Sequence, residues 1–108
     1  MSISLSSHVL DTTLGKPAAN MKLALTTHDG QVIEAQTDDD GRCNNWAEFD
    51  FVAGQYCLRF YTKEYLLCHH KEAFYPFVDV HFELSENGGH YHVPLLISPF
   101  GFSSYRGS

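Results

Sequence analysis

The chain reads as short bursts of alternating apolar and polar residues separated by turn-forming runs. Leu5 to Thr12 alternates loosely, with Leu5 and Val9 on one side and Ser6, His8 and Leu10 on the other, before Leu14-Gly-Lys-Pro17 breaks the pattern. A period of two belongs to a strand with one buried face. Met21 to His28 repeats it, setting Met21, Leu23 and Leu25 against Lys22, Ala24 and Thr26, and the turn His28-Asp-Gly30 leads into Gln31 to Ala35 as a predicted hairpin. Asp38-Asp-Asp-Gly-Arg42 is strongly turn-forming, with Gly41 able to take a positive φ, so Arg42 leaves a tight loop. A short apolar cluster, Trp46 to Val52, follows. Gln55 to Tyr61 then places Tyr56, Leu58 and Phe60 on one face and Cys57, Arg59 and Tyr61 on the other, the clearest central strand. Lys63 to Lys71 has neither proline nor glycine; with Thr62 as N-cap and Glu64 in the first turn, it predicts a short helix ending near His69-His70-Lys71. Phe77 to Leu84 alternates Val78, Val80, Phe82 and Leu84 against Asp79, His81 and Glu83, and Ser85-Glu-Asn-Gly-Gly89 predicts a second hairpin into the last strand.

That last run begins with Tyr91, Val93, Leu95 and Ile97 on one side and His90, His92 and Pro94 on the other. Two histidines therefore share the face turned away from the apolar stripe. After a bend allowed by Ser98-Pro99 and Gly101, the chain closes with Phe102, Tyr105 and Arg106, side chains that cost entropy to order and point to a docked terminus. Seven or eight short strands with one helix predict an all-β fold, a two-sheet β-sandwich with Greek-key connections, as a single domain over 1–108. Its aromatic-rich edge strands predict an oligomer.

Charge narrows the function. Seven Lys and Arg against thirteen Asp and Glu give a net charge of −6, the wrong sign for a nucleic-acid or anionic-membrane partner. Cys43, Cys57 and Cys68 form no Cys-x-x-Cys pair, so neither a disulfide framework nor a thiolate zinc site is indicated. The N-terminal residues lack a basic region with an apolar core, and no run of about twenty apolar residues occurs. A cytoplasmic protein is expected, or a periplasmic one if a leader has been removed. Potential positive charge gathers only in the seven histidines with Arg42 and Arg106. His8, Arg42, His92 and Tyr105 stand out because each lies on the polar side of a strand, just after a tight turn, or in the ordered tail. A metal module built on His90-x-His92 and His69-His70 is a rival reading, weakened by the lack of further ligands at suitable spacing.

Three stretches together resemble one family. They are Leu5-Ser-Ser-His-Val-Leu-Asp-Thr12 with Gly15-Lys-Pro-Ala18, the central Asp40-Gly-Arg42, and His90-Tyr-His-Val-Pro-Leu-Leu-Ile-Ser-Pro99 through Tyr105-Arg-Gly-Ser108. They look like the 5-hydroxyisourate hydrolases of the transthyretin-like family, and the resemblance runs end to end. The departures are Cys43-Asn-Asn-Trp46 after Arg42 and the aromatic Ala73-Phe-Tyr-Pro-Phe77. The resemblance implies a transthyretin-like sandwich, a homotetramer built as a dimer of dimers, active sites between dimers, no cofactor and no metal. It implies His8, Arg42 and His92 as catalytic residues, with His8, Arg42, Tyr105, Arg106 and Ser108 binding the small-molecule substrate 5-hydroxyisourate. Transthyretin itself, a carrier of an aromatic hormone, would be expected to have lysine in place of His8, an acidic residue in place of Arg42, threonine in place of His92, and no terminal Tyr-Arg-Gly-Ser. Ring-opening hydrolysis needs a base for water, stabilisation of an oxyanion and an acid for the leaving nitrogen, all within reach of two histidines and an arginine.

Overall fold

The computed structural model describes residues 2–107. In chain order its elements are β1 (Ile3–Asp11), β2 (Lys16–Pro17), β3 (Lys22–Thr26), β4 (Val32–Gln36), β5 (Arg42–Cys43), β6 (Gly54–Phe60), α1 (Thr62–His69), β7 (Val78–Leu84), β8 (Gly89–Ser98) and β9 (Gly101–Ser104). One sheet runs β2-β1-β8-β9, with β5 also pairing β1; the other runs β4-β3-β6-β7. The alternation explains how they pack. Leu5 and Val9 from β1, Leu95 and Ile97 from β8, and Leu23, Leu25, Tyr56, Leu58 and Phe60 from the opposite sheet are all buried in one cluster. Trp46, from the irregular segment before β6, joins that core and donates its indole N–H to the Leu5 carbonyl at 2.8 Å. The all-β two-sheet sandwich with one short helix is thus present as the periodicity predicts.

Two local expectations need correction. The run Ser85 to Gly89 does not close a hairpin: β7 ends its own sheet beside β6, whereas β8 crosses to the other sheet and lies parallel to β1. Gly88 and Gly89 both take positive φ, 74° and 102°, and the Gly89 N–H donates to the Ser2 carbonyl, so the chain is led to β1 instead of back along β7. The Tyr91 hydroxyl, 3.0 Å from both the amide nitrogen and the hydroxyl of Ser85, pins the crossing. The helix occupies the expected place, but Thr62 is not its cap. Tyr61 holds that position without a side-chain hydrogen bond, and the buried Thr62 hydroxyl instead donates to the Tyr75 carbonyl at 3.2 Å.

The helix is tied to the end of β1 through a buried carboxylate. Asp11 accepts from the Tyr65 hydroxyl at 2.8 Å, from the Thr13 and Leu14 amides at 3.0 Å each, and pairs with His70 Nε2 at 2.7 Å. Burial alone would raise its pKa. The His70, Leu14 and Tyr65 hydrogen bonds outweigh burial and leave the carboxyl below its ordinary value.

Candidate active site

Strand pairing brings the charged and polar candidates onto the outer face of the β1–β8 sheet. Because β1 alternates, Leu5, Ser7, Val9 and Asp11 turn inward and Ser4, Ser6 and His8 outward. Parallel pairing sets Ser4 beside His90, Ser6 beside His92 and His8 beside Pro94, while antiparallel pairing with β5 sets His8 beside Arg42. Residues far apart in the chain become neighbours through register alone.

The turn that delivers Arg42 is built by its own residues. The Asp38 carboxylate accepts from the Asp40 and Arg42 amides at 2.8 and 2.9 Å. Gly41, at φ 75°, lies so close to β1 that a Cβ there would stand 2.5 Å from the Val9 carbonyl oxygen. Only glycine satisfies both the dihedral and the contact. The same turn orients His8, whose Nε2 lies 2.8 Å from the Asp40 carbonyl. A carbonyl oxygen can only accept, so Nε2 carries the proton and Nδ1 is left to accept when the ring is neutral.

His92 is half-buried. Burial first, then the positive charge available on His8, His90 and Arg42, pushes its pKa below the ordinary imidazole value and favours the neutral ring. Its Nδ1 lies 2.7 Å from the Ser6 hydroxyl. A cavity of about 430 Å³ opens beside it, lined by Arg42, His92, His90, Ser4, Ser6 and Asp38 among others. His8 stands next to Arg42 in register but outside that lining.

The tail is docked, in a manner the sequence does not reveal. The Gly107 N–H donates to the His92 carbonyl at 2.8 Å, forming an isolated antiparallel bridge. The backbone of Gly107 lies so close to the imidazole that a Cβ would fall 2.5 Å from His92 Cδ2. Tyr105 and Arg106, in contrast, line a separate cavity of about 300 Å³ with Val80, Phe82, Tyr91 and Val93, and the Arg106 guanidinium sits 4.4 Å above the Tyr91 ring. Within one chain these two therefore do not border the His92 cavity as expected. Ser108 lies outside the described residues. Sequence reasoning put Ser6 and His90 on the polar faces without giving them a part in the site, and passed over Ser4 and the Asp40 carbonyl; extending the alternation of β1 back to Ser4 would have found that serine.

No group of three or more His, Cys, Asp or Glu able to hold a metal occurs among the described residues. The histidine pairs of the metal reading are spent separately, His70 on Asp11 and His90 with His92 on Ser6. No helix of the described residues is long and apolar enough to cross a membrane.

A family model described as "HIUase/Transthyretin family" matches residues 5–107. The chain belongs to that family. It is similar to the 5-hydroxyisourate hydrolase of Mesorhizobium japonicum, with 44% identity over 114 aligned residues covering 96% of this chain and 91% of the relative. Among solved structures it is similar to Klebsiella pneumoniae 5-hydroxyisourate hydrolase, with a TM-score of 0.87, 32% identity, and coverage of 98% of this chain and 99% of that one. It is also similar to sea bream transthyretin in complex with thyroxine, with a TM-score of 0.85, 31% identity and coverage of 96% and 94%. Family members with different names thus share one fold, which leaves the chemistry to be read from the side chains.

Proposed function

We propose that this chain hydrolyses 5-hydroxyisourate to 2-oxo-4-hydroxy-4-carboxy-5-ureidoimidazoline in urate catabolism, at the cavity bordered by Arg42 and His92. One observation carries the reading: a histidine biased toward its neutral form, a second histidine of fixed tautomer and an arginine stand on adjacent strands of one polar sheet face. The names of the relatives above support it. A carrier for a hydrophobic ligand has no use for such a row of titratable groups.

In this proposal His92 takes the proton from the attacking water through Nε2, because Nδ1 is already engaged by Ser6. Arg42 faces the ring oxygens and the oxyanion with a planar, multi-donor cation that lysine cannot imitate. His8, its Nε2–H held on the Asp40 carbonyl, works as the imidazolium and delivers its Nδ1 proton to the leaving nitrogen. Tyr105, Arg106 and Ser108 join the binding surface in a homotetramer, where a second copy completes the cavity.

The test is to generate 5-hydroxyisourate with urate oxidase and follow its absorbance with and without the protein. Faster decay than in buffer is expected, with the ring-opened product formed. Equal rates overturn the reading.

A further inference from the structure

Four side chains on the outer face of β1 and β8 form a continuous hydrogen-bonded row. The Ser4 hydroxyl lies 2.6 Å from His90 Nδ1, the Ser6 hydroxyl 2.9 Å from His90 Nε2, and the same Ser6 hydroxyl 2.7 Å from His92 Nδ1. The row runs from exposed Ser4 and His90 to half-buried Ser6 and His92.

Counting protons restricts what this row can do. A neutral imidazole has one donor and one acceptor, so His90 donates to one serine and accepts from the other. Ser6 has one proton and two imidazole partners, so it donates to one and accepts from the other. With every ring neutral, the row has only two fully satisfied states, running in opposite directions. In one, His92 Nδ1–H donates to Ser6, Ser6 donates to His90 Nε2, and His90 Nδ1–H donates to Ser4; His92 Nε2 is then bare and basic. In the other every donor is reversed and His92 Nε2 carries the proton. Gly107 packs beside the ring, where a Cβ would fall 2.5 Å from His92 Cδ2, and the Ser6 hydrogen bond favours the ring orientation that turns Nδ1 toward Ser6.

We propose that Ser6 and His90, with Ser4 at the outer end, are positioning residues that set the tautomer of His92 and return its proton to solvent. This rests on the hydrolytic reading above. As water oxygen bonds to the lactam carbon, the carbonyl π electrons move to oxygen and one water proton passes to His92 Nε2. The Nδ1 proton moves to Ser6, the Ser6 proton to His90 Nε2, the His90 Nδ1 proton to Ser4, and the Ser4 proton to solvent. The oxyanion's electron pair then re-forms the carbonyl as the C–N bond breaks, that bond's pair staying on nitrogen with a proton from the His8 imidazolium, which regains one from the new carboxylic acid. One water proton ends on nitrogen and one in solvent, as formation of an ionised carboxylate requires. The row is then in its reversed state, and the opposite transfer, ending with loss of the Nε2 proton to solvent water against uptake at Ser4, resets it.

The experiment has a structural arm and a kinetic arm. Imidazole ¹⁵N shifts of His92 in the unliganded protein are expected to show Nδ1 protonated and Nε2 bare, and S6A to shift the ring toward the Nε2–H form favoured by free imidazole side chains. S6A and H90F are expected to lower kcat about tenfold or more, part of the 10²–10⁴ that acid–base groups supply, with KM within about twofold. S6T restores the hydroxyl and is expected to stay within about threefold of wild type. A His92 ring already in the Nε2–H form and indifferent to S6A overturns the proposal, as does an H90F protein, folded by circular dichroism, with unchanged kcat. The NMR arm judges the relay even if the wild-type protein fails to hydrolyse 5-hydroxyisourate, so the two readings fail separately.

Discussion

His92 owes its character to burial and to three positive neighbours on three elements, His8, His90 and Arg42. The groups around it are His90 on its own strand, Ser6 and His8 on β1, and Arg42 on β5, with Asp38 lining the same cavity. Burial and the three positive neighbours act in the same direction, so the ring stays neutral to lower pH than a free imidazole, whose pKa is ~6.5. As a base it works only when neutral. The acid limb of kcat/KM against pH is therefore expected to fall below ~6.5, and a limb centred above that value would contradict the assignment of His92 as base. The same shift acts on stability: between the folded and unfolded pKa values the unfolded chain binds more protons, so folding weakens as pH falls through that interval. At this scale alternation put His8 and His92 on the polar strand faces where they lie, and the turn residues put Arg42 just after a tight loop. It put Ser6 and His90 on polar faces but gave them no part in the site, because serine and histidine are ordinary on a solvated strand and only the parallel register, a long-range fact, makes them partners. Gly107 was legible as a residue that lets the backbone approach another surface closely, and the surface it meets is the His92 ring.

Elements here are held by side chains as much as by backbone ladders. The bond from β1 to α1 runs through Asp11, which satisfies the Tyr65 hydroxyl, His70 Nε2 and two amides at once. Asp11→Ala removes the acceptor and leaves those donors unpaired in a buried place, which is expected to cost about 3 kcal/mol or more in urea denaturation. Because the Asp11 carboxyl lies below its ordinary value, the contribution is present above about pH 3.8 and is lost as pH falls through the lower folded pKa. Wild type and variant should thus converge in stability in strong acid; a variant as stable as wild type at pH 7 would show the carboxylate to be dispensable. Alternation predicted the six longest strands, β1, β3, β4, β6, β7 and β8, but not β2, β5 and β9, which are too short to show a period. It failed at β7 to β8 because turn residues report that a chain reverses, whereas the sheet it joins next is decided by which core face is still open, here the one beside β1. Thr62 misled in a similar way: a residue fit to cap a helix was drawn inward by the Tyr75 carbonyl.

For the molecule as a whole, the two sheets end in β7 and β9, each with an open edge, and Phe77, Phe100, Phe102 and Tyr105 stay exposed along or next to these strands. Open edges flanked by aromatics favour pairing with another copy, and the homotetramer proposed above would cover them. Light scattering is expected to give a mass about four times the 12.2 kDa chain, and a monomer at micromolar concentration would overturn that expectation. The parallel pairing of β1 with β8 has one more consequence, for the order in which the molecule is made. Ser6 and His92 are separated by 86 positions, so the loop joining them is almost the entire protein. Closing so large a loop is entropically late, and contacts of such long range slow folding. On the ribosome β1 emerges long before β8 and can pair β2 and β5 on one edge while its other edge waits and the β3 to β7 sheet can already form. The polar face that carries His8, Arg42 and His92 is complete only once β8 has been made, so a product of translation cut short before β8 would lack the strand that brings His92 to it.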